Sequence, residues 1–177
     1  MQALGEKVFE TELSLIANNE IRNLVVQVLQ LAPRYFWEAP SSTSGKHHPR
    51  DENKPGGKVL HIKRTVYLAY QLARMENLWE LERDLLLAAM VIHDIYCRGT
   101  DDIPSQKTDT SHPLLVRRKT AHLAGAPYYD NVMSIVEAHM GRWGPVIPKS
   151  KLQWLAYTAD YISSRREVTI DVRYENK

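Results

Sequence analysis

An adjacent histidine and aspartate, His93-Asp94, follow eight consecutive apolar residues, Leu85 to Ile92. A segment that is apolar all round reads as a central, buried helix. An unpartnered aspartate at its end would be very costly, so a cation or a hydrogen-bond network must neutralise it. A divalent metal does so directly, because imidazole nitrogen and carboxylate oxygen are both ligands of first-row ions. Neighbouring residues on a helix diverge by about 100°. At a helix end both can still reach one ion, or the aspartate can bridge two. Alone, such a pair carries little weight, since a histidine near a helix end is commonly a cap or a surface group. The chain holds an ordered set, however. His61 precedes the pair, His112 and His139 follow it, and Asp160 sits in an apolar stretch beside Ala156 and Ala159. Four of the seven histidines thus fall where metal ligands would be needed.

The elements that must position these groups are helical. Leu13, Ile16, Ile21, Leu24, Val25, Val28 and Leu31 recur at three- and four-residue steps, predicting one helix over 10–31 that Pro33 stops. Ser41 to Gly57 is rich in Ser, Lys, His, Pro and Gly and reads as a loop, long enough to be functional. Helices are expected over 58–75 and 80–96, placing His61 in the first turn of one and His93-Asp94 near the end of the other. A second polar loop, 99–111, holds Asp101, Asp102 and Asp109, read as outer-sphere or loop-capping groups rather than ligands. Ser111 reads as an N-cap with Pro113 just inside a helix running to Leu123. Asp130 reads as the cap of a helix over 131–139, closed by Gly141. A last helix begins near Ser150, and the β-branched run Val168–Val172 is either its frayed end or a short strand. No repeat or linker divides the chain. The expected fold is all-α, six or seven helices in a single domain over 1–177.

The series His61…His93-Asp94…Asp160 resembles the H…HD…D signature of the HD-domain metal-dependent phosphohydrolase superfamily, and His112 and His139 resemble the extra histidines of its dinuclear members. Ala39-Pro40-Ser41-Ser42-Thr43, then His47-His48, then Gly56-Gly57-Lys58-Val59-Leu60-His61, resembles a stretch of the HD-type (YhaM-like) 3′–5′ exoribonucleases. Glu137-Ala138-His139-Met140-Gly141 and Ala159-Asp160-Tyr161-Ile162-Ser163 are similar to two further motifs of that branch. The resemblance implies that His61, His93, Asp94 and Asp160 bind one metal, and that Asp94 bridges to a second completed by His112 and His139. Asp94, His112 and His139 would then serve catalysis. The implied activity is hydrolysis of phosphoester bonds in nucleotides or short oligonucleotides by a metal-activated water. The N/O donor set, without thiolate, suits one or two ions of Mn, Fe, Co, Ni or Zn and disfavours a structural zinc knot.

The chain departs from the family in places. Tyr96-Cys97-Arg98 replaces the usual Gly-Lys after the pair, so Arg98 is the nearest substitute for a phosphate-binding lysine. Met140 replaces a second histidine, and no room remains for the RNA-binding domain of the exoribonucleases. Further phosphate contacts could come from His48, Lys58, Arg142 and Arg165. Each has a plainer reading: His47-His48 as a solvated loop, Lys58 and Lys63 as exposed lysines, Arg165-Arg166 as surface charge. Arg142-Trp143 could stack a base, or the tryptophan could be buried. Arg117-Arg118-Lys119 reads as a solvated face, His122 as structural or surface, and Tyr96 as packing. The same ligands also serve di-iron oxygenases, and a non-catalytic nucleotide-sensing module would keep the same scaffold.

Composition bounds these readings. The 177 residues are 44% hydrophobic and 25% charged, enough for a sizeable core. A formal charge of +2 is too balanced for a polyanion receptor. One cysteine, Cys97, excludes an intrachain disulfide and suits a reducing, cytoplasmic setting. The longest apolar run is far short of the roughly 20 residues that span a bilayer. Glu6, Glu10 and Glu12 near the start leave no expectation of a signal peptide. Association into a homo-oligomer is left open.

Overall fold

Helical periodicity resolves into nine α-helices and no strand among the described residues, 4–100 and 105–174 of the computed structural model. Asp101 and Asp102 lie outside the described residues. The helices are α1 (Leu4–Val8), α2 (Glu10–Ser14), α3 (Asn19–Gln30), α4 (Arg34–Glu38), α5 (Gly57–Met75), α6 (Glu80–Ile92), α7 (His112–Lys119), α8 (Tyr129–Ala138) and α9 (Lys151–Ser163). Short 3₁₀ turns occupy Arg50–Asn53, Ala121–Leu123 and Gly141–Trp143.

α6 is the axis of the fold. Leu86 through Ile92 are wholly buried, as the all-round apolar sequence requires. α2, α3, α5, α8 and α9 all pack on it. Each fully buried Leu, Ile, Val or Met contributes about 1.5–3 kcal/mol relative to exposure, so this one helix anchors the core. Its last turn delivers whatever follows Ile92 into the centre of the molecule.

The predicted helix over 10–31 is broken. α2 ends at Ser14, and α3 restarts after Asn18, whose side chain caps the amides of Glu20 and Ile21. The Asn18 amide donates to buried Asp84 Oδ2 of α6 at 2.7 Å, giving that carboxylate a reason to be inside and fixing the break. The helix expected to reach Tyr96 stops at Ile92, and residues 93–96 form a turn. Ser111 occupies the N-cap position of α7 without capping it, because its hydroxyl donates instead to Asp109 Oδ1. That helix ends at Lys119, four residues early. Asp130 lies inside α8 rather than capping it, and pairs with Arg117. Ser150 does cap α9, with Gln153 completing a reciprocal box. Val168–Val172 forms neither helix nor strand; its Ile170 carbonyl accepts from Arg64 Nε of α5 at 3.2 Å.

Candidate metal centre

Two glycines start the helix that carries His61. Gly56 has φ +78°, a left-handed conformation that a side chain resists. A Cβ on Gly57 would sit 1.8 Å from the Glu52 carbonyl oxygen, so only glycine lets α5 begin against the loop. The Gly56 and Lys58 amides then bond to the carbonyls of Glu38 and Ala39. Lys58 and His61, three residues apart, therefore share one face of the first turns.

Four further elements converge on that face. His93 is the C-cap of α6, with Asp94 in the turn behind it. His112 opens α7, His139 is the C-cap of α8, and Asp160 lies in the last turns of α9. His61, His93, His112 and His139 are all at most 2% exposed, and Asp94 is 7% exposed. His61 Nε2 lies 3.1 Å from Asp160 Oδ1, and His93 Nε2 lies 3.6 Å from the same oxygen. Asp94 Oδ1 is 2.8 Å from His112 Nε2 and 3.7 Å from His139 Nε2, while its Oδ2 is 3.9 Å from both His61 and His93 Nε2. Asp94 thus stands between two ligand groups, with one oxygen toward each.

The outward nitrogens decide the tautomer. Nδ1 of His93, His112 and His139 donates to the carbonyls of Met90 (2.8 Å), Asp109 (2.6 Å) and Val136 (2.7 Å). In the neutral rings this leaves the Nε2 lone pairs pointing inward. His112 and His139 Nε2 are only 3.1 Å apart, and buried His93 Nε2 has no hydrogen-bond partner. Two facing lone pairs and an orphaned nitrogen beside two carboxylates fit a divalent cation. His61–His93–Asp94, His93–His139–Asp160 and Asp94–His112–His139 each bring their donor atoms within 4.8 Å of one another. Cys97 joins none of these groups, so the donors are nitrogen and oxygen alone.

Burial alone would raise the Asp94 carboxyl, but the Lys58 ammonium beside it holds it well below the ordinary range. Asp160 behaves alike, burial being overcome by His61 and His93. Burial opposes a charge on His61, yet Asp160 and Glu52 bring its imidazolium up to about 9. Burial keeps His139 below its ordinary value.

The remaining sequence candidates separate clearly. Lys58, read from sequence as exposed, is 2% exposed, and its Nζ donates to Asp94 Oδ2 at 2.5 Å. Lys63 is taken up by buried Glu12. Arg98 is turned away, its Nε on the Ser105 carbonyl at 2.9 Å, and does not line the pocket above the centre. It therefore does not stand in for the missing lysine. Arg142 is also absent from the lining, its guanidinium stacking 4.7 Å over the exposed Trp143. Arg165, His47 and His48 do line it. His48 Nδ1 is held between Ser41 Oγ (2.8 Å) and Glu52 Oε2 (2.9 Å). Arg117, expected to be solvated, pairs with Glu137 and Asp130. His122 is exposed, and the Tyr96 hydroxyl donates to the Leu31 carbonyl.

Glu52 escaped sequence reasoning. It is wholly buried, accepts from Arg64 at 2.8 Å, and faces His61 Nδ1 at 3.5 Å, a carboxylate orienting an imidazole. Burial would raise its carboxyl, but His48, His61 and Arg64 together depress it strongly. Tyr157 and Tyr161 were also missed, although their four-residue spacing with Arg165 is visible in the sequence.

Residues 59–165 match the model of the HD domain. No curated protein and no solved structure matches the chain significantly. With a matched region covering most of the chain, and the histidine–aspartate cluster inside it, the protein belongs to the HD-domain family, the metal-dependent phosphohydrolase superfamily.

Proposed function

We propose that this protein is a metal-dependent phosphohydrolase acting on phosphoester bonds of nucleotides or short oligonucleotides. The observation that carries this reading is the inward convergence of four imidazole Nε2 atoms on two carboxylates at the floor of an open pocket. His61, His93, Asp94 and Asp160 would hold one ion; Asp94, His112 and His139 would hold a second. A divalent ion bound there supplies a nucleophile at neutral pH and stabilises charge developing on phosphoryl oxygens.

The chain's own residues complete the site. Lys58 places a buried ammonium beside Asp94, where a phosphate resting on the floor would meet it. It takes the role that Arg98 is too far turned to fill. Arg165 and His48, which line the pocket, would contact the rest of the ester. The motif likeness to the 3′–5′ exoribonuclease branch supports a nucleotide or oligonucleotide as substrate.

Metal analysis of the purified protein, coupled to hydrolysis of an aryl phosphate and an aryl phosphodiester, tests the reading. Asp94→Ala is expected to remove both metal and activity while leaving helicity intact. A protein that cannot be loaded with Mn, Fe, Co, Ni or Zn, or that hydrolyses neither ester when loaded, overturns it.

A further inference from the structure

Above the ligand cluster the pocket, about 460 Å³, has two unlike walls. One is hydroxylic, formed by Ser41 to Ser44 with His47. The other is aromatic. α9 presents Tyr157 and Tyr161, four residues apart, with Asp160 beside them; Arg165 follows just past its end, and Trp143 stands at the rim. Just over one turn, about 6 Å along the axis, separates the two tyrosines. Stacking faces therefore begin immediately next to the cluster.

The aromatic wall is built rather than incidental. Gly141 has φ +55°, and a Cβ there would lie 2.5 Å from Tyr157 Cδ2, so the Tyr157 ring is seated against bare backbone. The Tyr157 and Tyr161 rings are 5.7 Å apart, and the Arg165 guanidinium covers one face of Tyr161 at 4.3 Å. Trp143 is 60% exposed and Tyr161 37% exposed. Large flat rings left open beside a cluster of phosphate-philic groups match a ligand with a flat ring of its own. The net charge of +2 provides no broad field to gather anions, so affinity must come from local contacts such as stacking.

We propose that Tyr157, Tyr161 and Trp143 form a base-stacking subsite, so that the substrate is a nucleoside phosphate ester rather than a base-free phosphate. The hydroxylic wall then faces the sugar. This inference rests on the phosphohydrolase reading above.

Calorimetric titration of chelator-treated protein with adenosine monophosphate and with ribose 5-phosphate tests it without turnover. The nucleotide is expected to bind about tenfold more tightly, in line with a single base–aromatic stack. Tyr161→Leu, at an exposed position that leaves the core untouched, is expected to erase most of that preference, and Tyr161→Trp to retain it. Equal affinities, a preference unmoved by Tyr161→Leu, or no binding of either ligand overturns the subsite. If the metal-loaded protein still hydrolyses an aryl phosphodiester in that event, the subsite alone falls and the phosphohydrolase reading stands.

Discussion

At the residue scale the centre is a balance of buried charge. Lys58 neutralises one oxygen of Asp94, and removing one partner of a buried pair leaves the other uncompensated. Lys58→Met is expected to destabilise the metal-free protein by about 3 kcal/mol, measured by urea denaturation in a chelator. Adding a divalent metal should recover much of the loss, since the ion replaces the missing positive charge. A Lys58→Met protein equally stable in chelator would show that the histidines alone satisfy Asp94. Glu52 faces His61 and does not line the pocket. Glu52→Gln is expected to weaken metal affinity by about 10–100-fold. Competition with a metal-sensing dye checks this, and unchanged affinity would reduce Glu52 to a partner of Arg64.

At the element scale, the start of α5 and the ends of α6 and α8 set the geometry. Gly57→Ala places a methyl on the Glu52 backbone, an overlap no rotamer can relieve. A loss of about 3 kcal/mol or more is expected, with weaker metal binding as His61 moves; thermal melts with and without metal read both. The six candidate ligands were legible because each sits at a helix end or on an apolar helix, where pattern and residue type agree. The break at Asn18 was not, because the apolar period runs on through it and masks the cap, while Asp84, which also holds it, is 66 residues away. Glu52 lay in a polar loop without periodicity, where a buried carboxylate looks like any other. Lys58 was read as exposed because lysine usually is; only its pairing with Asp94, across 36 residues, puts it inside.

At the scale of the whole molecule, no helix among the described residues is long and apolar enough to cross a membrane. Metal should stabilise the fold by mass action: at a free concentration 100 times Kd the gain is about 2.7 kcal/mol. For a chain of this length that corresponds to a rise in Tm of roughly 5–10 °C, read by calorimetry against a chelated sample. Glu52 predicts the acid limb of stability. Its folded value lies below its ordinary 4.5, so its contribution is full above that pH and is lost as pH falls toward the folded value. Denaturation midpoints between about pH 7 and 3 should therefore fall for the natural chain and fall less steeply for Glu52→Gln. Parallel curves would locate acid sensitivity elsewhere.

His93 and His139 each donate Nδ1 to a carbonyl three residues back, at the end of their own helix. Those carbonyls lie in the last turn, where intrahelical partners run out, and that of Val136 also accepts from the His139 amide. Each side-chain bond thus ties the ring to its own helix end and aims it, so the cluster is arranged before any ion arrives. Metal uptake should be quick, with little change in circular dichroism. That is the opposite of a zinc finger, which must fold around its ion.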